Sequence, residues 1–143
     1  MGKRYKTDFF DGIKIVGSKI FVEHTKKALR LLKKKTPGTY KTLVLKHLRC
    51  IRYARVSQVN DAGEFRVSNI TAYPDLAWYA SSIVHEAYHI ELGARGLVDS
   101  GTSAELKCIK VQIRAGLRIG LSNKWIEHLK TRDGTHWKSS TRG

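Results

Sequence analysis

Two histidines and a glutamate at helical spacing are the residues of this chain best suited to chemistry, in the segment His85-Glu86-Ala87-Tyr88-His89. Histidines four residues apart project from the same side of a helix, one turn apart. In that register two imidazoles can chelate one Zn²⁺, while the glutamate beside the first histidine reaches a metal-bound water. Zinc lowers the pKa of that water and polarises a carbonyl, and the glutamate takes and returns the proton. His85 and His89 are therefore candidate metal ligands, and Glu86 is a candidate general base.

The sequence around this motif predicts a helix that holds it over a cleft, from Pro74-Asp75 to about Gly93. At about 100° per residue, the apolar positions of this helix form one stripe: Leu76, Ala80, Ile83, Val84 and Ala87. The two histidines fall on the opposite side, where Trp78 and Ser82 precede them. Because a plainly solvated face does not need a tryptophan and apolar flanks, we expect this side of the helix to face a covered cleft.

Residues 82–90, Ser-Ile-Val-His-Glu-Ala-Tyr-His-Ile, resemble the active-site helix of the zincin superfamily of zinc metallopeptidases. The resemblance covers residues 65–129 and implies a bound zinc ion and hydrolysis of peptide bonds in a protein substrate. In zincins a strand edge before this helix commonly binds extended substrate backbone. Residues 64–70 are the matching segment here, so the resemblance predicts a substrate-binding edge at that place.

The third metal ligand has to come from outside the motif. The metzincin pattern is absent, because Leu92 and Arg95 stand where its glycine and third histidine would be. Glu105, on the predicted next helix, resembles the ligand of glutamate-type zincins and is our candidate. The alternative is a capping box, in which Thr102 caps that helix and Glu105 reaches back to its amide.

Several other side chains are rival ligands or donors to an oxyanion. His136 and Glu91 are the rival third ligands. His136 can instead donate a hydrogen bond to the oxyanion that forms on the substrate, and so can Tyr88, Tyr79 or Tyr73. We take His136 and Tyr88 as candidate catalytic residues beside the glutamate of the motif.

Three further histidines and one aspartate are not predicted to be catalytic or to bind the metal. His24, His47 and His128 lie among lysines and leucines on predicted helices, so we expect them to be structural or exposed. Asp99 can accept a hydrogen bond from a ligand histidine and orient it, although turn formation explains this residue equally well.

Composition predicts one soluble domain over residues 1–143, with a basic leader at 1–10 and a polar tail at 132–143. No apolar run approaches the roughly 20 residues that cross a bilayer, and the leader lacks the apolar stretch of a signal peptide. We therefore expect a protein that is cytoplasmic or delivered as part of a larger secreted chain. Cys50 and Cys108 have no metal-binding spacing and are predicted to be buried free thiols, with a disulfide as the alternative.

Periodicity and turn signals predict an α+β fold, in which a small antiparallel sheet packs on the active-site helix among further helices. The predicted helices cover residues 18–35, 40–48, 75–93, 103–119 and 123–130. The predicted strands cover residues 11–16, 50–59 and 65–71. The last two strands are expected to form a hairpin around residues 60–63.

The charge is the compositional outlier, with 27 Lys and Arg against 12 Asp and Glu, a net +15. Such a field attracts polyanions, although it also suits a solvated surface, and the run Lys33-Lys34-Lys35 suits the end of a helix. The charge favours a second interpretation of the chain, in which it resembles SprT-like proteases that act on DNA-bound proteins. A third reading is a basic nucleic-acid-binding module with a non-catalytic metal site.

If the chain is a protease, it is a minimal zincin domain, and domains of this size resemble the catalytic modules of bacterial secreted effectors and toxins. Residues 104–112 and 117–120 are similar to that group. This resemblance implies a protein substrate and an inhibitor or immunity protein as a partner. It does not predict the oligomeric state.

Overall fold

The computed structural model describes residues 5–60, 62–97 and 101–132. The strands are Lys6–Phe10 (β1), Ile13–Gly17 (β2), Cys50–Tyr53 (β3), Gln58–Val59 (β4) and Glu64–Val67 (β5). The helices are Lys19–Lys35 (α1), Pro37–Thr39 (α2), Leu45–His47 (α3), Asn69–Ala72 (α4), Leu76–Ala94 (α5), Gly101–Ile119 (α6) and Asn123–Thr131 (α7), with a π-helical turn, Tyr40–Val44, between α2 and α3. The predicted α+β class is confirmed.

The sheet has five strands in the order β1-β2-β3-β5-β4, and it is mixed rather than antiparallel. β2 pairs parallel to β3, and β3 pairs parallel to β5, while the outer pairs are antiparallel. A parallel pair needs a long crossover connection. Residues 18–49, which contain α1 and the short helices after it, supply that crossover between β2 and β3. The predicted antiparallel sheet is therefore wrong in its centre.

The basic leader contributes the first strand of this sheet. Asp11 and Gly12 both have positive φ, 48° and 86°, and they connect β1 to β2 as a two-residue hairpin turn. Tight hairpin turns of this length favour an Asp-Gly pair because that pair tolerates positive φ. The strand predicted over residues 11–16 thus begins later, at Ile13, and Lys6–Phe10 is ordered against it.

The hairpin predicted around residues 60–63 exists, but it joins β4 to β5. β3 ends at Tyr53 and pairs with the far side of β5, so the predicted strand over residues 50–59 is two strands. β5 is therefore hydrogen-bonded on both sides, and Asn69–Ala72 is helical. The substrate-binding edge predicted at residues 64–70 is wrong, because β4 covers that edge.

α5 is the central helix of the domain. The Asp75 carboxylate caps it by accepting a hydrogen bond from the Trp78 amide at 2.8 Å. Four residues of the predicted apolar stripe are fully buried: Ala80, Ile83, Val84 and Ala87. They belong to one core with side chains of the sheet and of α1, while α6 packs along another side of α5. This packing leaves the opposite side of α5 for the histidines.

The two cysteines are free thiols, as predicted, Cys50 half-buried on β3 and Cys108 buried on α6. None of the helices in the described residues is long and apolar enough to cross a membrane.

One contact ties the first hairpin to the π-helical turn. Tyr40 is buried, with 2% of the residue exposed. Its hydroxyl donates a hydrogen bond to Asp11 Oδ2 at 2.7 Å. Lys33 Nζ lies 3.0 Å from the same oxygen. The hydrogen bond from Tyr40, followed by that from Lys33, holds the pKa of the Asp11 carboxyl below its ordinary value.

We expect Tyr40→Phe to lower the free energy of unfolding by about 1–2 kcal/mol, because a hydrogen bond to a charged acceptor is lost. The pKa of the Asp11 carboxyl is lower in the folded protein than in the unfolded chain. Its ionised form therefore stabilises the fold at pH values above the unfolded pKa, and this stabilisation is lost as the pH falls through the folded pKa. The loss in Tyr40→Phe should thus be complete at pH 7 and shrink below about pH 4. Urea unfolding at both pH values measures it. Tyr53→Phe is the control, because the Tyr53 hydroxyl has no hydrogen bond within the described residues, and an equal loss there would contradict the prediction.

Candidate metal centre

α5 and α6 together form a cleft of about 350 Å³, which we call the histidine cleft. His85, Glu86 and His89 of α5 line it, and Glu105 and Gln112 of α6 face them. Both histidine side chains are nearly buried, with 11% and 14% of their surface exposed. The cleft predicted on this side of α5 is therefore present, and it brings four of the proposed site residues together.

The Glu105 carboxylate lies between the two histidines. Its Oε1 is 3.0 Å from His85 Nε2, and its Oε2 is 3.4 Å from His89 Nε2. The capping-box alternative is not what the structure shows. α6 begins at Gly101, and the Thr102 hydroxyl is buried with no hydrogen-bond partner in the described part of the chain. Glu105 is thus directed to the histidines and not to a helix end.

The spacing of these donors fits a metal ion. Zinc in proteins lies about 2.0–2.1 Å from histidine nitrogens and about 2.0–2.2 Å from carboxylate oxygens in a tetrahedral arrangement, which places neighbouring donors about 3.3 Å apart. The two nitrogen-to-oxygen distances, 3.0 and 3.4 Å, bracket this value. Two imidazoles and one carboxylate are also a donor set that catalytic zinc sites use. His85, His89 and Glu105 can therefore hold zinc with small adjustments.

The charges of the cleft are strongly coupled. Burial raises the pKa of the Glu105 carboxyl, but hydrogen bonds from His85 and His89 outweigh burial and hold that pKa below its ordinary value. Burial lowers the pKa of His89, but hydrogen bonds to Cys108 and Glu105 outweigh it and raise the pKa to about 11. Glu105 is therefore an anion at neutral pH, as a metal-binding carboxylate has to be.

Glu86 differs from Glu105 in its contacts. Within residues 5–60, 62–97 and 101–132, no hydrogen bond or ion pair joins its carboxylate to another residue. Burial raises the pKa of Glu86, and the charges of His85 and His89 oppose that rise. A carboxylate with a raised pKa is a stronger base, which suits proton transfer near neutral pH.

A chain of hydrogen bonds orients the His85 ring. Gln112 Oε1 lies 2.7 Å from His85 Nδ1, and Gln112 Nε2 donates to Ser81 Oγ at 3.0 Å. Ser81 in turn donates to the Trp78 carbonyl, so its hydroxyl has to accept from the amide end of Gln112. The oxygen end of Gln112 therefore faces His85 and accepts its Nδ1–H. With Nδ1–H bound to Gln112, Nε2 is the ring nitrogen that faces Glu105 and the one that a metal ion would bind.

Tyr88, proposed as an oxyanion donor, does not reach the histidine cleft. It lines a second groove with Glu91, Arg114 and Arg118. Its side chain is partly buried and packs against the main core and against the cluster of Leu92, Ala104 and Cys108. Tyr88 is thus not among the residues that line the histidine cleft, and its catalytic role stays a prediction.

The other tyrosines and the rival ligand Glu91 are also placed elsewhere. Tyr79 is fully buried in the core, and its hydroxyl hydrogen-bonds Thr25 at 2.7 Å. Tyr73 stacks on His24, with ring centroids 5.0 Å apart. Glu91 Oε1 lies 3.3 Å from His47 Nε2. His136, the remaining rival ligand and catalytic candidate, and Asp99, the proposed orienting residue, lie outside the described residues.

The three remaining histidines have structural surroundings, as expected. His24 Nε2 donates to the Ala72 carbonyl at 2.6 Å, and its ring stacks on two tyrosines. His47 pairs with Glu91. His128 contacts Trp78 and Trp125, which stack on each other with centroids 4.4 Å apart.

Two residues of α6 near the histidines were missed from the sequence. Gln112 orients His85, and Cys108 Sγ belongs to a cluster with His85 and His89 in which the ligand atoms lie within 4.8 Å of one another. Cys50 and Cys108 were predicted to have no metal-binding spacing in the sequence, and the cluster that Cys108 joins is with histidines of another helix. Glu105, Cys108 and Gln112 follow the spacing i, i+3 and i+7 of one helix face, so that spacing was the available signal.

No protein-family model, no curated protein and no solved structure matches this chain. The chemistry of the histidine cleft is therefore the basis for assigning a function.

Proposed function

We propose that this protein is a zinc-dependent metallopeptidase with its active site in the histidine cleft. The observation that carries the proposal is the convergence of His85 Nε2 and His89 Nε2 on the Glu105 carboxylate, with Glu86 lining the same cleft. A purely structural metal site does not need a further carboxylate beside its ligands in the same cleft. This combination favours a catalytic site over a structural one, and it supports the interpretation of the motif as that of a zincin.

Each residue of the cleft has a distinct task in this proposal. His85, His89 and Glu105 hold the zinc ion, which when bound activates a water molecule and polarises the scissile carbonyl. Glu86 accepts the proton of the attacking water and then donates it to the nitrogen of the leaving group. Within the described residues neither oxygen of Glu86 is held by a hydrogen bond or an ion pair, which leaves both for this transfer.

The walls of the cleft support a polypeptide as the substrate. Trp78, Ile109 and Leu129 line one part of the cleft, while Thr71 and Ser82 add hydroxyl groups. Trp78 is held in place by stacking on Trp125. The polar groups of the cleft suit a polypeptide backbone, which needs hydrogen-bond partners.

The proposal is tested by incubating the zinc-loaded chain with an unfolded protein such as β-casein and identifying new peptide ends by mass spectrometry. We expect cleavage that stops when a chelator removes zinc and resumes when zinc is added back. Cleavage that persists after complete removal of zinc, or a zinc-loaded protein that cuts no peptide bond in a diverse peptide library, would contradict the proposal.

Gln112 gives a separate prediction about the metal. Gln112→Leu removes the acceptor of His85 Nδ1–H, and loss of such an outer partner typically weakens metal binding by about 10–100-fold. Competition with a zinc-binding dye measures the affinity. Gln58→Leu, on the exposed strand β4, is the matched control and should bind zinc like the wild type. Unchanged affinity in Gln112→Leu would show that the hydrogen bond does not support the ligand.

The net charge of +15 favours a version of the protease that acts close to nucleic acid. In that version the same cleft cuts proteins bound to DNA, and the basic surface provides the attachment. We expect DNA to bind with an affinity that falls steeply with salt, and to speed cleavage of a DNA-bound substrate. Equal stimulation by heparin would reject a specific role for DNA and leave the peptidase proposal intact.

A further inference from the structure

The described residues place a sulfur atom beside the proposed zinc ligands. Cys108 Sγ and ligand atoms of His85 and His89 all lie within 4.8 Å of one another. Cys108 follows Glu105 by three residues on α6, so both side chains project from the same face of that helix. The cysteine has no exposed surface and does not line the histidine cleft. It therefore approaches the histidines from the protein interior.

The separations suit a shared metal ion. Around a tetrahedral zinc, with bonds of about 2.3 Å to sulfur and about 2.0–2.1 Å to nitrogen, a thiolate and an imidazole nitrogen lie about 3.5 Å apart. The separations in the cluster, all within 4.8 Å, exceed that distance by no more than about 1.3 Å.

The environment of Cys108 also differs from that of the other cysteine. Cys50 lies on β3 next to Arg52 and has no place in the cluster with the histidines. Cys108 packs on one side against Leu92 and Ala104, and on the other it meets two imidazoles. A buried thiol with a purely packing role needs only the first of these surroundings.

We infer that Cys108 Sγ is a fourth protein ligand of the zinc ion in the resting protein, together with His85, His89 and Glu105. The inference rests on the proposed zinc site. When the sulfur–zinc bond forms, the thiol proton passes to solvent, and the bound species is the thiolate. Four protein donors complete a tetrahedral shell, so the resting site is closed to water until one donor leaves the metal. This arrangement would hold the peptidase in a latent state.

X-ray absorption at the zinc edge tests the inference without relying on activity. The sample is zinc-loaded Cys50→Ala, in which Cys108 is the single remaining thiol of the chain. We expect one sulfur neighbour at about 2.3 Å beside nitrogen and oxygen neighbours at about 2.0–2.2 Å. The sulfur signal should be absent in zinc-loaded Cys108→Ala, with circular dichroism as the check on folding.

The possible results separate the inference from the proposed function. A shell of nitrogen and oxygen alone in Cys50→Ala overturns the role of Cys108 and leaves the His85, His89 and Glu105 site standing. A protein that binds no zinc overturns the proposed function as well. A sulfur signal that remains in a folded Cys108→Ala also overturns the inference. If Cys108→Ala does not fold, the measurement on Cys50→Ala decides the question by itself.

Discussion

Replacing Glu86 with glutamine is expected to slow peptide hydrolysis by roughly 10²–10⁴-fold while zinc binding stays intact. Glutamine keeps the size of the side chain but cannot accept a proton from the attacking water. Glu86 has no hydrogen bond or ion pair within the described residues, so the substitution breaks none there. Initial rates on a fluorogenic peptide, with zinc content measured on the same sample, give the result.

The matched control for this substitution is Glu91→Gln, on the same helix but facing the second groove. We expect its hydrolysis rate to stay close to that of the wild type. Hydrolysis by Glu86→Gln at the wild-type rate, with equal zinc content, would assign proton transfer to another group. Equal losses in both variants would indicate a general effect on α5.

The second large effect is expected from Glu105→Ala, which should lose zinc. The substitution removes the carboxylate that lies 3.0 Å from His85 Nε2 and 3.4 Å from His89 Nε2. Because Glu105 is proposed as a direct ligand, its loss should weaken binding by more than the about 10–100-fold that an outer partner costs. Hydrolysis should fall in parallel, because zinc is needed to activate the water. Elemental analysis after dialysis against a weak chelator measures the retained metal.

Glu127→Ala is the control for the removal of one carboxylate. Glu127 lies on α7, with 59% of its side chain exposed, and pairs only with Lys130 in the described residues. It should retain zinc like the wild type. If Glu105→Ala retained zinc at wild-type affinity, Glu105 would be a neighbour of the histidines and not a ligand.

The motif and its helix were predictable because they depend on local sequence. The spacing of His85 and His89 and the apolar stripe of α5 are properties of one helix. The cap at Asp75 is local as well. Glu105 was named through the resemblance to glutamate-type zincins, and the structure brings it to the histidines.

The failures concern contacts between distant segments. Whether Tyr88 faces the cleft depends on which elements flank α5, and Cys108 and Gln112 reach the histidines only because α6 packs against α5. The parallel pairing of the central strands depends on crossovers that no single strand sequence encodes. The strand Lys6–Phe10 was also missed, but for another reason. The Asp-Gly turn that follows it is a local signal that the sequence offered.

The anomalous signal of zinc in crystals of the zinc-loaded protein tests the central claim most directly. The account predicts one strong peak within about 2.0–2.2 Å of His85 Nε2, His89 Nε2 and a Glu105 carboxylate oxygen. A peak bound to other residues, or the absence of a peak in the histidine cleft, would contradict it.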